Sequence, residues 1–136
     1  MKKQSLQFIA MTLILGLSAI YISASPFSDT FRIEIPFDFQ VGSKSFDAGT
    51  YSFKRVTQSQ LVFENIESGK QRYVLGVLGS NLSGDYVEHK LRFHRYGDHH
   101  FLREITSPSS VFSLTKSKAE KRASKKTPIK EVILGS

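Results

Sequence analysis

The chain has 136 residues, no cysteine and a formal net charge of +7 at neutral pH. The missing thiols exclude disulfide stapling and a lipoprotein anchor, so an apolar core or assembly must supply stability. The charge is local, because residues 25–115 balance ten Lys/Arg with ten Asp/Glu, while 116–136 carry +5 and Lys2 and Lys3 the remainder; this argues against a nucleic-acid-binding face on the domain body.

Lys2 and Lys3 precede an apolar run from Leu6 to Ile22, followed by Ser23-Ala24-Ser25. A basic start, an apolar stretch and small residues for cleavage make a secretory signal over residues 1–24. A permanent anchor is the competing reading, but the run is short for a bilayer span and holds Gln7, Thr12, Gly16 and Ser18. Cleavage implies export to the periplasm or beyond. The remaining 112 residues suit one domain, and their ten phenylalanines and four tyrosines can build its core.

Residues 25–115 read as a β domain. Phe31–Ile35, Phe37–Val41, Tyr51–Val56 and Leu61–Ile66 alternate with period two, and turn signals separate them at 42–44, 47–49 and 67–70. Tyr73–Leu78 is continuously apolar, the pattern of a strand buried on both faces. After a Gly- and Ser-containing loop at 79–85, a long strand runs from Tyr86 to Tyr96. Gly97-Asp98 then predicts a tight hairpin in which Phe93 pairs with Leu102 and His94 with Phe101. Val111–Leu114 is a further short strand.

Residues 116–136 form a basic C-terminal segment. Ser117 and Glu120 have capping-box spacing, which predicts a short helix over 117–126 with no apolar face to bury. Pro128 ends it, and Ile129–Leu134 reads as a last strand or as an exposed apolar end. The expected fold is all-β: a small antiparallel β-barrel or β-sandwich of about eight strands with a short C-terminal helical segment.

Three stretches carry one pattern: Ile35–Gly42 with Ala48-Gly49-Thr50-Tyr51, Leu91–Gly97 with Phe101–Ile105, and Leu114–Lys121. Over residues 31–122 the chain resembles a family of small exported bacterial β-rich proteins of unknown function, with the pattern IPFxF…AGxY…LxFHRYGxxxFLxEI…SxxE. Asp47 stands where the resemblance leads one to expect a proline before Ala48-Gly49. The resemblance implies export and a β fold, and it assigns no catalytic or binding residue.

All four histidines, His89, His94, His99 and His100, fall within twelve positions. His94 and His99 share one face of the proposed hairpin and are the candidate metal ligands, with Asp98 or Glu104 as a carboxylate; His99 and His100 must point to opposite faces. No HExxH spacing, nucleophile elbow or phosphate loop is present. Asp38 with Asp47, and Glu64 with Glu67, have the residue types of a glycosidase pair without a fixed separation. The sequence therefore favours a non-catalytic exported protein, without cofactor, that binds an envelope component or small ligand or serves a structural role. Its candidate binding surface is Arg92, His94, Arg95, Tyr96, Phe101 and Arg103. The alternatives are a metal-binding protein or metal-dependent enzyme at the histidine hairpin, and a polyanion or membrane-surface binder acting through the basic tail. Export and the lack of aromatic residues in 116–126 argue against nucleic acid.

Overall fold

The computed structural model describes residues 30–80, 88–108 and 110–135. The segment 1–24, expected to be a secretory signal, and the residues from Asn81 to Val87, including Tyr86, lie outside them. Eleven strands and one helix are present among the described residues. In chain order they are β1 (Thr30–Ile35), β2 (Phe39–Val41), β3 (Lys44–Phe46), β4 (Gly49–Arg55), β5 (Gln60–Asn65), β6 (Gln71–Leu75), β7 (Val77–Ser80), β8 (Lys90–Tyr96), β9 (His99–Ser107), β10 (Ser110–Ser113), α1 (Lys118–Lys126) and β11 (Lys130–Gly135).

The strands form a sandwich, and among the described residues no barrel closes. One sheet has the order β1-β4-β5-β6; the other has β11-β8-β9-β10-β7, with β2 alongside β9 and β3 paired to β2. The period-two pattern explains the layering, since alternate side chains of a strand point to opposite faces. Phe31, Ile33 and Ile35 of β1, Tyr51 and Phe53 of β4, and Leu61 and Phe63 of β5 point inward. They meet Phe39, Leu91, Phe93, Leu102, Ile105 and Phe112 from the second sheet in one core. Phe93 lies across Phe37 and Phe39 edge to face, at centroid distances of 5.0 and 5.7 Å, while Phe53 stacks on Phe31 at 5.3 Å. Each such ring contributes about 1.5–3 kcal/mol by leaving water, which answers the absence of disulfides.

The continuous apolar run at 73–78 is not a strand buried on both faces. The chain crosses from the edge of one sheet (β6) to the edge of the other (β7) at Gly76. Val74 enters the core and Leu78 packs against it, whereas Tyr73, Leu75 and Val77 are 57%, 74% and 66% exposed. A Cβ at Gly76 would sit 2.5 Å from the Phe112 ring and 2.6 Å from the Ser113 carbonyl oxygen. Both are held by the sheet, so the corner cannot give. Gly76→Ala is expected to lower stability by about 1–3 kcal/mol through overpacking; urea unfolding checks this, with Gly79→Ala, which meets only one atom at 3.8 Å, as the mild comparison.

The β8–β9 hairpin forms in the expected register, with Phe93 opposite Leu102 and His94 opposite Phe101. Gly97 takes φ 61°, in the left-handed region that a two-residue hairpin turn needs. The register then slips: Arg92 pairs with Glu104, so Arg103 is an extra residue in β9. Such a bulge re-aims side chains. Here it leaves Arg103 and Glu104 both reaching the outer side of the sheet, where α1 lies. The last strand is also realised, as β11 pairs with β8 along its whole length from Lys130 opposite Arg95 to Gly135 opposite Lys90.

Candidate functional site

Three of the six candidate surface residues, His94, Tyr96 and Arg103, converge on a side chain of this same protein. Ser117 caps α1, its Oγ accepting from the Glu120 backbone N–H at 3.1 Å. That is half of a capping box. The Glu120 carboxylate turns away from the helix start and enters the outer face of the β8–β9 hairpin, where the residue is 1% exposed. Its Oε1 accepts from the Tyr96 hydroxyl at 3.2 Å and lies 3.0 Å from His94 Nδ1, and its Oε2 accepts from Arg103 Nη1 at 3.2 Å.

This arrangement satisfies a buried carboxylate as physical chemistry demands. An ionised group removed from water is tolerated when a counter-charge and hydrogen bonds replace its hydration. Arg103 supplies the charge, and the bulge brings it there. Burial foremost, and then the neighbouring carboxylate, push the Tyr96 hydroxyl above its ordinary pKa, so it remains a donor. The helix expected to have no face to bury thus docks through a charged residue. Ala119 and Ala123 are half-buried beside it, and Tyr96 and Phe101, with ring centroids 5.9 Å apart, form a small second core on this side of the sheet.

Four of the six candidate surface residues are consequently engaged in holding α1 and its small core. Tyr96 and Phe101 are 2% and 3% exposed, and His94 and Arg103 face Glu120. Arg92 is outside this set and lies 3.6 Å from Glu104. Arg95 is exposed, and its Nε donates to the Gly97 carbonyl at 2.7 Å.

The histidines occupy separate environments. His94 and His99 do share one face of the hairpin, but His94 stands opposite Phe101 and His99 opposite Tyr96. His94 Nε2 is 4.0 Å from Glu131 Oε1. His99 is exposed and lines a groove of about 350 Å³ between α1 and the hairpin, together with Gln40, Arg122 and Lys126. His100 stacks on Phe37 at 3.8 Å, and burial, followed by the Arg95 charge, lowers its pKa. His89 stacks on Phe31 at 4.3 Å. Among the described residues, no group of three or more His, Asp or Glu side chains is placed to hold a metal ion.

One carboxylate of each pair considered above serves local structure. Asp38 Oδ1 accepts from the Ala48 N–H at 2.9 Å, and Glu64 Oε2 accepts from Gln71 at 3.1 Å. The basic tail is a candidate surface in the sequence; the feature that sequence reasoning missed is the burial of Glu120, which leaves the outward face of α1 purely cationic. Lys118, Lys121, Arg122, Lys125 and Lys126 are all exposed, while the only acid of the helix is buried. Ile133, paired with Arg92 on the same side of the sheet, is 55% exposed, and Ile129, between α1 and β11, is 48% exposed. The spacing Ser117-x-x-Glu120 marked the helix start, but nothing local marked which way the carboxylate would turn. No protein family, curated protein or solved structure matches the chain.

Proposed function

We propose that this is an exported, non-catalytic protein of the cell envelope that works by attachment, with the outward face of α1 as its contact to anionic lipid headgroups. The observation that supports this reading is the separation of charge on the helix: five cations face water and the single acid is withdrawn into the sheet. An acid left among them would cancel part of the field; buried against Arg103, it does not. Basic residues near an anionic bilayer contribute about 1 kcal/mol each, within a Debye length of the surface. The exposed Ile129 and Ile133 near this face favour a bilayer over a soluble polyanion, because apolar side chains can enter the headgroup boundary. A non-catalytic role agrees with the use of Glu120, Asp38 and Glu64 as structural hydrogen-bond partners.

Vesicle co-sedimentation of residues 25–136, which include every described element, tests the reading. Binding is expected to phosphatidylglycerol vesicles, not to phosphatidylcholine vesicles, and to fall steeply as salt rises. Lys121→Glu, Arg122→Glu and Lys125→Glu together should weaken it on the order of 100-fold, from about 1 kcal/mol per basic residue. Equal binding to both vesicle types, or binding unaffected by the triple change, would sink the proposal.

A further inference from the structure

The sandwich has one long edge with a single charged residue, Arg72 of β6. Among the described residues, β6 has β5 on one side and no strand on the other. The other edges carry charges that discourage pairing, Arg32 and Glu34 on β1, and Lys130 and Glu131 on β11. From Tyr73 to Ser80 the β6–β7 edge has none. The outer face of β6 instead presents Tyr73 and Leu75, each more than half exposed. Exposed apolar side chains in a row on an open edge mark an interaction surface.

We infer that β6 pairs antiparallel with β6 of a second copy of this chain, joining two four-stranded sheets into one of eight. The strand is its own complement. A two-fold axis at Tyr73, the midpoint of Gln71–Leu75, pairs all five residues: Tyr73 with Tyr73 of the other copy, Arg72 with Val74, and Gln71 with Leu75. On the outer face the two tyrosine rings meet and each exposed leucine lies against a glutamine stem. On the inner face Val74, already part of the core, receives the aliphatic stem of Arg72. No like charges stand directly opposite, since Arg72 faces valine; the two Arg72 residues are diagonal neighbours, each with its exposed head free to turn to water. Aromatic cross-strand pairs stabilise antiparallel ladders, and a closed two-fold contact stops at two copies. The dimer leaves α1 uncovered, because α1 lies on the outer face of the other sheet.

Sedimentation equilibrium of residues 25–136 at micromolar concentration should return twice the chain mass. Tyr73→Lys sets two ammonium groups against each other across the axis and should halve that mass. Tyr73 is 57% exposed and outside the core, so the circular dichroism spectrum should not change. A trap provides a second readout in this cysteine-free chain. Oxidised Tyr73→Cys should form a disulfide dimer far faster than Arg32→Cys, which lies on β1 at the opposite edge of the same sheet. A monomeric wild-type chain, a Tyr73→Lys variant that remains dimeric, or equal trapping at both positions overturns the inference.

Discussion

Glu120→Ala is expected to cost about 3–5 kcal/mol, the penalty for removing one member of a buried, hydrogen-bonded charge pair. The loss exceeds that of the carboxylate's own contacts. Arg103, with its side chain 18% exposed, would remain in the sheet–helix junction without its counter-charge, and the Tyr96 hydroxyl and His94 Nδ1 would lose their shared acceptor. Against a total stability of about 5–15 kcal/mol for a domain, this is a large fraction. A second readout localises the effect. A nine-residue helix is too short to persist in water alone, so undocking should melt it and open its five cations to trypsin. Rapid cleavage at Lys121, Arg122 and Lys125 is expected for Glu120→Ala, and slow cleavage for the wild type. Glu120→Gln keeps an acceptor but removes the charge and should cost less, about 1–3 kcal/mol. Replacing the pair together, as Glu120→Leu with Arg103→Met, should recover most of the loss, because no buried charge is then left alone. Urea unfolding that placed Glu120→Ala within 1 kcal/mol of wild type would show that the carboxylate does not hold the helix.

Phe93→Ala should cost a similar amount, about 3–5 kcal/mol, for a different reason. Phe93 is fully buried, and its strand β8 lies between β11 and β9 in the second sheet. Its ring meets Phe37 and Phe39 edge to face, and it stands opposite Leu102 on one side and Val132 on the other. Truncation removes the transfer free energy of the ring and opens a void that three strands cannot collapse into. Phe93→Leu should retain most of the packing and cost clearly less than Phe93→Ala. The urea midpoint should move while the slope remains constant, as expected when stability changes without a change in the surface exposed. Trypsin separates the two variants: Phe93→Ala weakens the whole sandwich, whereas Glu120→Ala releases the C-terminal helix first.

The hairpin and the helix show how far local pattern reaches. Gly97-Asp98 between two apolar-rich runs set both the turn and the pairing of Phe93 with Leu102, because turn length and side-chain period are properties of neighbouring residues. The slip that frees Arg103 was not legible, since a bulge is decided by what the sheet must meet. Ser117 and Glu120 likewise marked the start of α1, but Glu120 could bond back to the helix start or forward to another element. Tyr96, His94 and Arg103, far away in the chain, settled that choice. The run at 73–78 misled for the same reason. A short apolar stretch is compatible with a doubly buried strand, and only the positions of Phe112 and Ser113 turn it at Gly76 into two exposed edges.

By itself, then, the sequence determined the β class, the strand alternation, the hairpin register, the C-terminal helix and the confinement of surplus charge to the two ends, while it left residues 129–134 open between a last strand and an exposed apolar end. These follow from short-range sterics and from period-two burial. Tertiary structure alone decided that the sheets form a sandwich, that the basic segment lies across the hairpin as a docked helix, and that its one acid is buried. Those outcomes depend on which distant side chains can replace the water around a carboxylate, and no local pattern contains that information.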